Sequence, residues 1–192
     1  TGYGVAGALN VGNNGTFNEI EGGGGNDTIT GNGNTRIAFY GAAGAVTVDL
    51  GAGTSHGTTA GDVAKVGDDV FTGVSAVSGS AFNDRLTGSN NAANTAEEFS
   101  GRAGDDLIDG LGGVDRSFFH QDNQNPFGIH VDLAMGDVTG DDAIGHDTLR
   151  SVEGIRGTNF VDTYDASNFG GAGFLDSFIN NVGSFGTFNE FE

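Results

Sequence analysis

GRAGDDLIDGLGGVDRSFF, residues 101–119, holds two consecutive nonapeptides with one layout. GRAGDDLID (101–109) and GLGGVDRSF (110–118) follow G-G-x-G-x-D-x-U-x, where U is a large apolar residue and Ser117 takes that slot in the second. The glycines permit the positive-φ turn of a short corner. The last three residues read as a brief strand whose middle side chain points to one face. A single unit cannot bury that side chain, but a stack can, with strand pairing on strand about 4.8 Å apart.

The pattern extends in both directions. GGGGNDTIT (22–30) is a third good copy, while GSAFNDRLT (79–87) and GTNFVDTYD (157–165) carry Phe in place of the inner Gly. NNGTFNEIE (13–21), GNGNTRIAF (31–39) and AANTAEEFS (92–100) are less regular members. A longer period lies above the nonapeptide. GGGGNDTITGNGNTRIAFY (22–40) lies over residues 101–119 at an offset of 79, VTVDLGAGTSHG (46–57) matches IHVDLAMGDVTG (129–140), and GDDVFTGV (67–74) matches GHDTLRSV (145–152). TFNEIE (16–21) returns as TFNEFE (187–192), 171 residues on. Residues 1–192 therefore read as one segment, slightly more than one 171-residue tile of a tandem array, with half-tiles at approximately 13–91 and 92–170 and the next tile starting in 171–192.

Composition narrows the classes. There are 37 glycines but one proline and no Gly-x-y period, which excludes a collagen helix. Fifteen Phe among short Val, Ile and Leu runs argue against disorder. With 26 acidic and 7 basic residues the net charge is −19, which repels nucleic acid and anionic lipid and calls for cations to neutralise a compact state. No cysteine is present to staple the fold, and no apolar run is long enough for membrane insertion.

The Gly-Asp units resemble the RTX, or haemolysin-type, calcium-binding repeats of type I-secreted bacterial proteins. The resemblance implies an all-β fold, a right-handed parallel β-helix or β-roll solenoid, here wide and irregular because of the long spacers. It implies Ca²⁺ held between corners by Asp27, Asp106 and Asp115 with the carbonyls of Gly22, Gly24, Gly101, Ala103, Gly110 and Gly112, and more weakly by Asp84 and Asp162. With corners recurring every 18 residues, Asp115 stacks on Glu97 as a two-carboxylate site. The same spacing sets Asn18 against Arg36, which cannot ligate a cation, and sets Asp27 and Asp106 against Ala45 and Gln124. One to three ions per tile are expected.

The blander readings stand beside these. Asp is favoured in turns for its backbone hydrogen bonds alone, and Asp68-Asp69 and Asp141-Asp142 read equally as loop ligands or solvated faces. His120 near Asp122, and His146 beside Asp147, lack an accompanying nucleophile, so no enzymatic role is expected. The function expected is a calcium-stabilised structural repeat of a large secreted surface or matrix protein (adhesin, surface layer or filament), with neighbouring repeats and self-association into fibres as partners. A carbohydrate or host surface has no support in the residues. The alternative is the secretion and folding region of an RTX exoenzyme whose catalytic domain lies elsewhere; a polysaccharide-acting β-helix enzyme ranks last, since the chain has one lysine.

Overall fold

The computed structural model describes residues 17–91, 96–119, 127–141, 143–167 and 169, and residues 190–191 as backbone. Among these there is no helix, and two sheets carry all the strands. The seven-stranded sheet runs β1 (Asn18–Ile20), β3 (Thr35–Ala38), β7 (Ala76–Ser78), β9 (Ala96–Ser100), β11 (Val114–Phe118), β15 (Gly154–Arg156), β17 (Glu190–Phe191), every neighbouring pair parallel. The ten-stranded sheet runs β16 (Thr163–Asp165), β12 (His130–Asp132), β13 (Asp137–Thr139), β14 (His146–Arg150), β10 (Leu107–Gly112), β8 (Arg85–Asn90), β4 (Val46–Asp49), β5 (Thr54–Gly57), β6 (Asp68–Thr72), β2 (Thr28–Thr30). The chain shuttles between the two. Each strand, or strand triplet, in one sheet is followed by a strand in the other.

The period-two pattern decides what is buried. Ile29 is buried between exposed Thr28 and Thr30, and Phe71 between exposed Val70 and Thr72. Register lines these residues up across strands. Ile20, Ile37, Val77, Phe99, Ser117 and Ile155 are successive partners in one sheet, while Val48, Leu86, Ile108 and Leu149 are successive partners in the other. Each such aliphatic side chain contributes roughly 2 kcal/mol on burial. Ser117 interrupts its row, fully buried where the pattern asks for a large apolar residue.

VTVDLGAGTSHG folds as an antiparallel hairpin of β4 and β5, and β6 then completes a three-stranded meander inside the ten-stranded sheet. Asp49 closes the turn by accepting the Ala52 amide at 2.8 Å. Gly53 takes φ +68°, and a Cβ there would sit 2.3 Å from the Phe71 carbonyl oxygen. Asp132 and Gly136 repeat both features between β12 and β13.

The pairing scheme itself repeats every eight strands. β1–β3, β3–β7, β2–β6 and β4–β8 recur as β9–β11, β11–β15, β10–β14 and β12–β16. The links that join the two halves are β7–β9 and β8–β10.

Candidate carboxylate corners

Every Gly-Asp unit packs the Asp carboxylate against its own first glycine. A Cβ on Gly22, Gly79, Gly101, Gly110 or Gly157 would meet Oδ2 of Asp27, Asp84, Asp106, Asp115 or Asp162 at 2.6, 2.2, 2.0, 2.6 or 2.3 Å respectively. Any side chain at these glycines would force the Asp carboxylate to shift.

On the ten-stranded sheet the carboxylates form a one-way ladder. The backbone N–H of Asp27 donates to Oδ1 of Asp69 (2.9 Å), Val46 to Asp84 (2.8 Å), Asp84 to Asp106 (2.7 Å), Asp106 to Asp147 (2.9 Å) and Ile129 to Asp162 (2.8 Å). The neighbours of Asp27 and Asp106 are therefore Asp69, Asp84 and Asp147, and Asp27 does not stand against Ala45 as an 18-residue spacing would set it. The inserted meanders lengthen the chain between parallel partners, so the next carboxylate in line lies 41 or 42 residues on. Gln124, His120 and Asp122 lie outside the described residues.

The corners divide into two chemical kinds. In the Phe-containing units a hydroxyl closes the corner: Ser80 donates its amide and its Oγ to Asp84 (2.5 and 2.7 Å), and Thr158 does the same for Asp162 (both 2.8 Å). Asp69 is closed by the Ser55 hydroxyl at 2.9 Å. Burial nonetheless raises Asp84 to about 6 and lifts Asp69 above the usual range. In the glycine-rich units no hydroxyl stands at that position: Gly23, Arg102 and Leu111 replace Ser80 and Thr158. Among the described residues, Oδ2 of Asp27 is buried and accepts no hydrogen bond, and neither oxygen of Asp115 accepts one.

The seven-stranded sheet carries the second column. Successive partners at its leading edge are Asn18 and Thr35 in the first half, and Glu97 and Asp115 in the second, with Glu153 next along. Asn18 thus faces Thr35 and not Arg36, because the parallel partners β1 and β3 are offset by 17 residues. The Thr35 hydroxyl donates to Asn18 Oδ1 at 3.0 Å, and Arg36 bonds Glu19 at 3.4 Å. That neutral column satisfies itself. Its counterpart is acidic throughout: Glu97, Asp115 and Glu153 are 5, 1 and 2 % exposed, and Asp109 nearby is 8 % exposed. Glu97 accepts the Ser89 amide and hydroxyl, both at 2.7 Å, and Glu153 accepts the Asp115 amide at 2.9 Å. Burial first, then Glu153 and Glu97, push Asp115 up to about 9; the Glu97 backbone N–H opposes this without reaching hydrogen-bonding geometry.

Of the remaining sequence-expected donors, Gly110 and Gly112 are buried at the Asp115 corner. The Gly112 carbonyl accepts the Asn91 amide at 3.1 Å. Gly101 is buried, Ala103 half-buried, and Gly22 and Gly24 exposed. Asp69, Asp147 and Glu153 belong to the columns and went unrecognised as members. His146 is exposed and bonds Asp137 through Nε2. Among the described residues no three His, Cys, Asp or Glu side chains converge as a ready metal-ligating group. Any cation would therefore draw on backbone carbonyls as well. Neither a protein-family model nor a curated protein matches the chain.

Proposed function

We propose that the chain is a calcium-stabilised structural repeat: a two-sheet parallel β-solenoid serving as a spacer or self-associating segment of a large secreted surface or matrix protein. The observation that carries this reading is Asp115, 1 % exposed, with both oxygens bare and Glu97 and Glu153 on either side. An ionised, unpaired carboxylate in that setting costs several kcal/mol. A hard divalent cation relieves it and prefers the oxygen donors found there. Asp115 and Glu97 with the Gly110 and Gly112 carbonyls would hold the ion, and the glycine-lined corner suits it because a Cβ on Gly110 would lie 2.6 Å from Asp115 Oδ2. Asp27, with a bare Oδ2 beside Gly22, is the second candidate, together with the Gly24 carbonyl. Asp84 and Asp162 are assigned to hydroxyl-closed turns that need no ion.

Binding would release the proton held by Asp115 and join two coils. At the low calcium of a cytosol the acidic chain would stay loose enough for export, and outside it would fold. The test is circular dichroism and thermal melting of residues 1–192 in millimolar calcium and in excess chelator. The reading expects a higher melting temperature with calcium; identical melts would sink it. The exoenzyme-tail alternative makes the same calcium prediction and is decided by whether a catalytic domain shares the parent chain.

A further inference from the structure

The described fold ends on two strands that pair on one side only, β1 and β2, and on two at the opposite end, β16 and β17. β17 is the sequence repeat of β1, Glu190-Phe191 for Glu19-Ile20, and it lies parallel on β15 with Gly154 against Glu190 and Ile155 against Phe191. This is the β7–β9 link, Ala76 against Glu98 and Val77 against Phe99, moved on by eight strands. Its companion link within the chain is β8–β10, with Arg85, Leu86 and Thr87 against Leu107, Ile108 and Asp109. Shifted by eight strands, that link has β16 on one side and, on the other, a strand equivalent to β2.

We propose that the β16 edge is the docking site for β2 of the next copy of this sequence in the same chain, with Thr163, Tyr164 and Asp165 in register with that copy's Thr28, Ile29 and Thr30. The proposal rests on the stacked-repeat reading above and adds the joint between repeats. Three observations at the two faces agree with it. Oδ2 of Asp27 accepts no hydrogen bond among the described residues, whereas its counterpart Asp106 accepts the Asp84 amide; by the same repeat the amide of Asp162, the counterpart of Asp84, would donate to the next copy's Asp27. Phe160 and Val161, 51 and 89 % exposed, flank the β16 edge, and Phe17, 47 % exposed, precedes β1. The ladder of amide-to-carboxylate bonds runs in one direction, so the two faces are complementary and not alike. Head-to-tail addition follows, and it leaves a new free β16 edge each time.

The absence of native cysteine allows a clean test. A two-copy chain is built at the 171-residue spacing, so that residues 187–192 of the first copy serve as residues 16–21 of the second. Thr163→Cys in the first copy is combined with Thr28→Cys in the second, or with Thr30→Cys as the control. In-register partners lie about 4.8 Å apart, within disulfide range, and the control pair roughly 8 Å apart, outside it. Under mild oxidation in calcium, the in-register pair is expected to close at least ~10-fold faster, read by non-reducing gel shift and mass spectrometry. Circular dichroism on the same samples confirms folding. A folded two-copy chain in which both pairs close equally, or neither closes, overturns the joint. The calcium reading is judged separately by adding chelator to the single copy, so either idea can fail while the other stands.

Discussion

Replacing Asp115 by Asn separates a cation-binding role from simple turn chemistry. In the metal-free protein the Asp115 carboxyl is raised to about 9 from 3.8 by burial and by Glu153 and Glu97. The stability it supports is fully present below 3.8 and is lost progressively as pH rises from there to about 9, because the unfolded chain ionises first. At pH 7 that gap amounts to about 4 kcal/mol at most, taking 1.36 kcal/mol per pH unit. Asp115→Asn removes it, so in excess chelator at pH 7 the variant should melt above the wild type, by up to roughly 8–16 °C for a chain of this size. In calcium the order should reverse, because the variant loses the charged ligand. The assay is differential scanning calorimetry at pH 5, 7 and 9, with chelator and with calcium, beside a calcium titration in weak buffer to count released protons. If Asp115→Asn is destabilised in chelator at pH 7, or if the wild type shows no loss of stability between pH 5 and 9 beyond that of the variant, the reasoning fails.

Other outcomes follow from the same corners. Ser80→Ala and Thr158→Val remove the hydroxyls that close Asp84 and Asp162, and each should cost about 1–3 kcal/mol with or without calcium, measured by urea titration. Gly101→Ala places a Cβ 2.0 Å from Asp106 Oδ2 and should cost about 1–3 kcal/mol or more by the same assay. Ile108→Ala, in a fully buried position between Leu86 and Leu149, should cost about 2–5 kcal/mol. Arg36→Ala, which removes a 3.4 Å contact to Glu19 and the stacking on Phe17, should cost no more than about 1 kcal/mol, and its calcium response should match wild type because no ion site is assigned to it.

The nonapeptide made the strand and its buried residue legible, since Ile29, Leu86 and Ile108 sit where period two puts them. It misled on coil length. Counting 18 residues placed Glu97 against Asp115, which the register shows, but it set Arg36 against Asn18 and passed over the meanders. A hairpin inserted between two corners leaves the local pattern intact while moving the next corner more than forty residues along, and local periodicity carries no information about that. The missing signal was shorter than the nonapeptide. A carboxylate two residues before a core position, as in Asp69-Val70-Phe71, Asp147-Thr148-Leu149 and Glu153-Gly154-Ile155, marks every acidic member of both columns except Asp115, where Ser117 takes the core slot, and Asp162, where Tyr164 is only half-buried.

That tripeptide also explains why the two halves of the chain diverge. The position facing the next strand is polar throughout, and in the ten-stranded sheet it accepts a backbone amide at each step from Asp69 to Asp162. A neutral residue there can satisfy itself locally, as Asn18 and Thr35 do, and so can a carboxylate with a hydroxyl four residues back, as Asp84 does with Ser80. Asp115 has Leu111 in that place, and between Glu97 and Glu153 it has nowhere to spread its charge. Substituting Leu111 by Ser should therefore convert an ion-requiring corner into a self-closed one. The variant is expected to gain stability in chelator and to gain less from calcium than the wild type. An unchanged calcium response in Leu111→Ser would show that the hydroxyl four residues before the carboxylate is not what distinguishes the two kinds of corner.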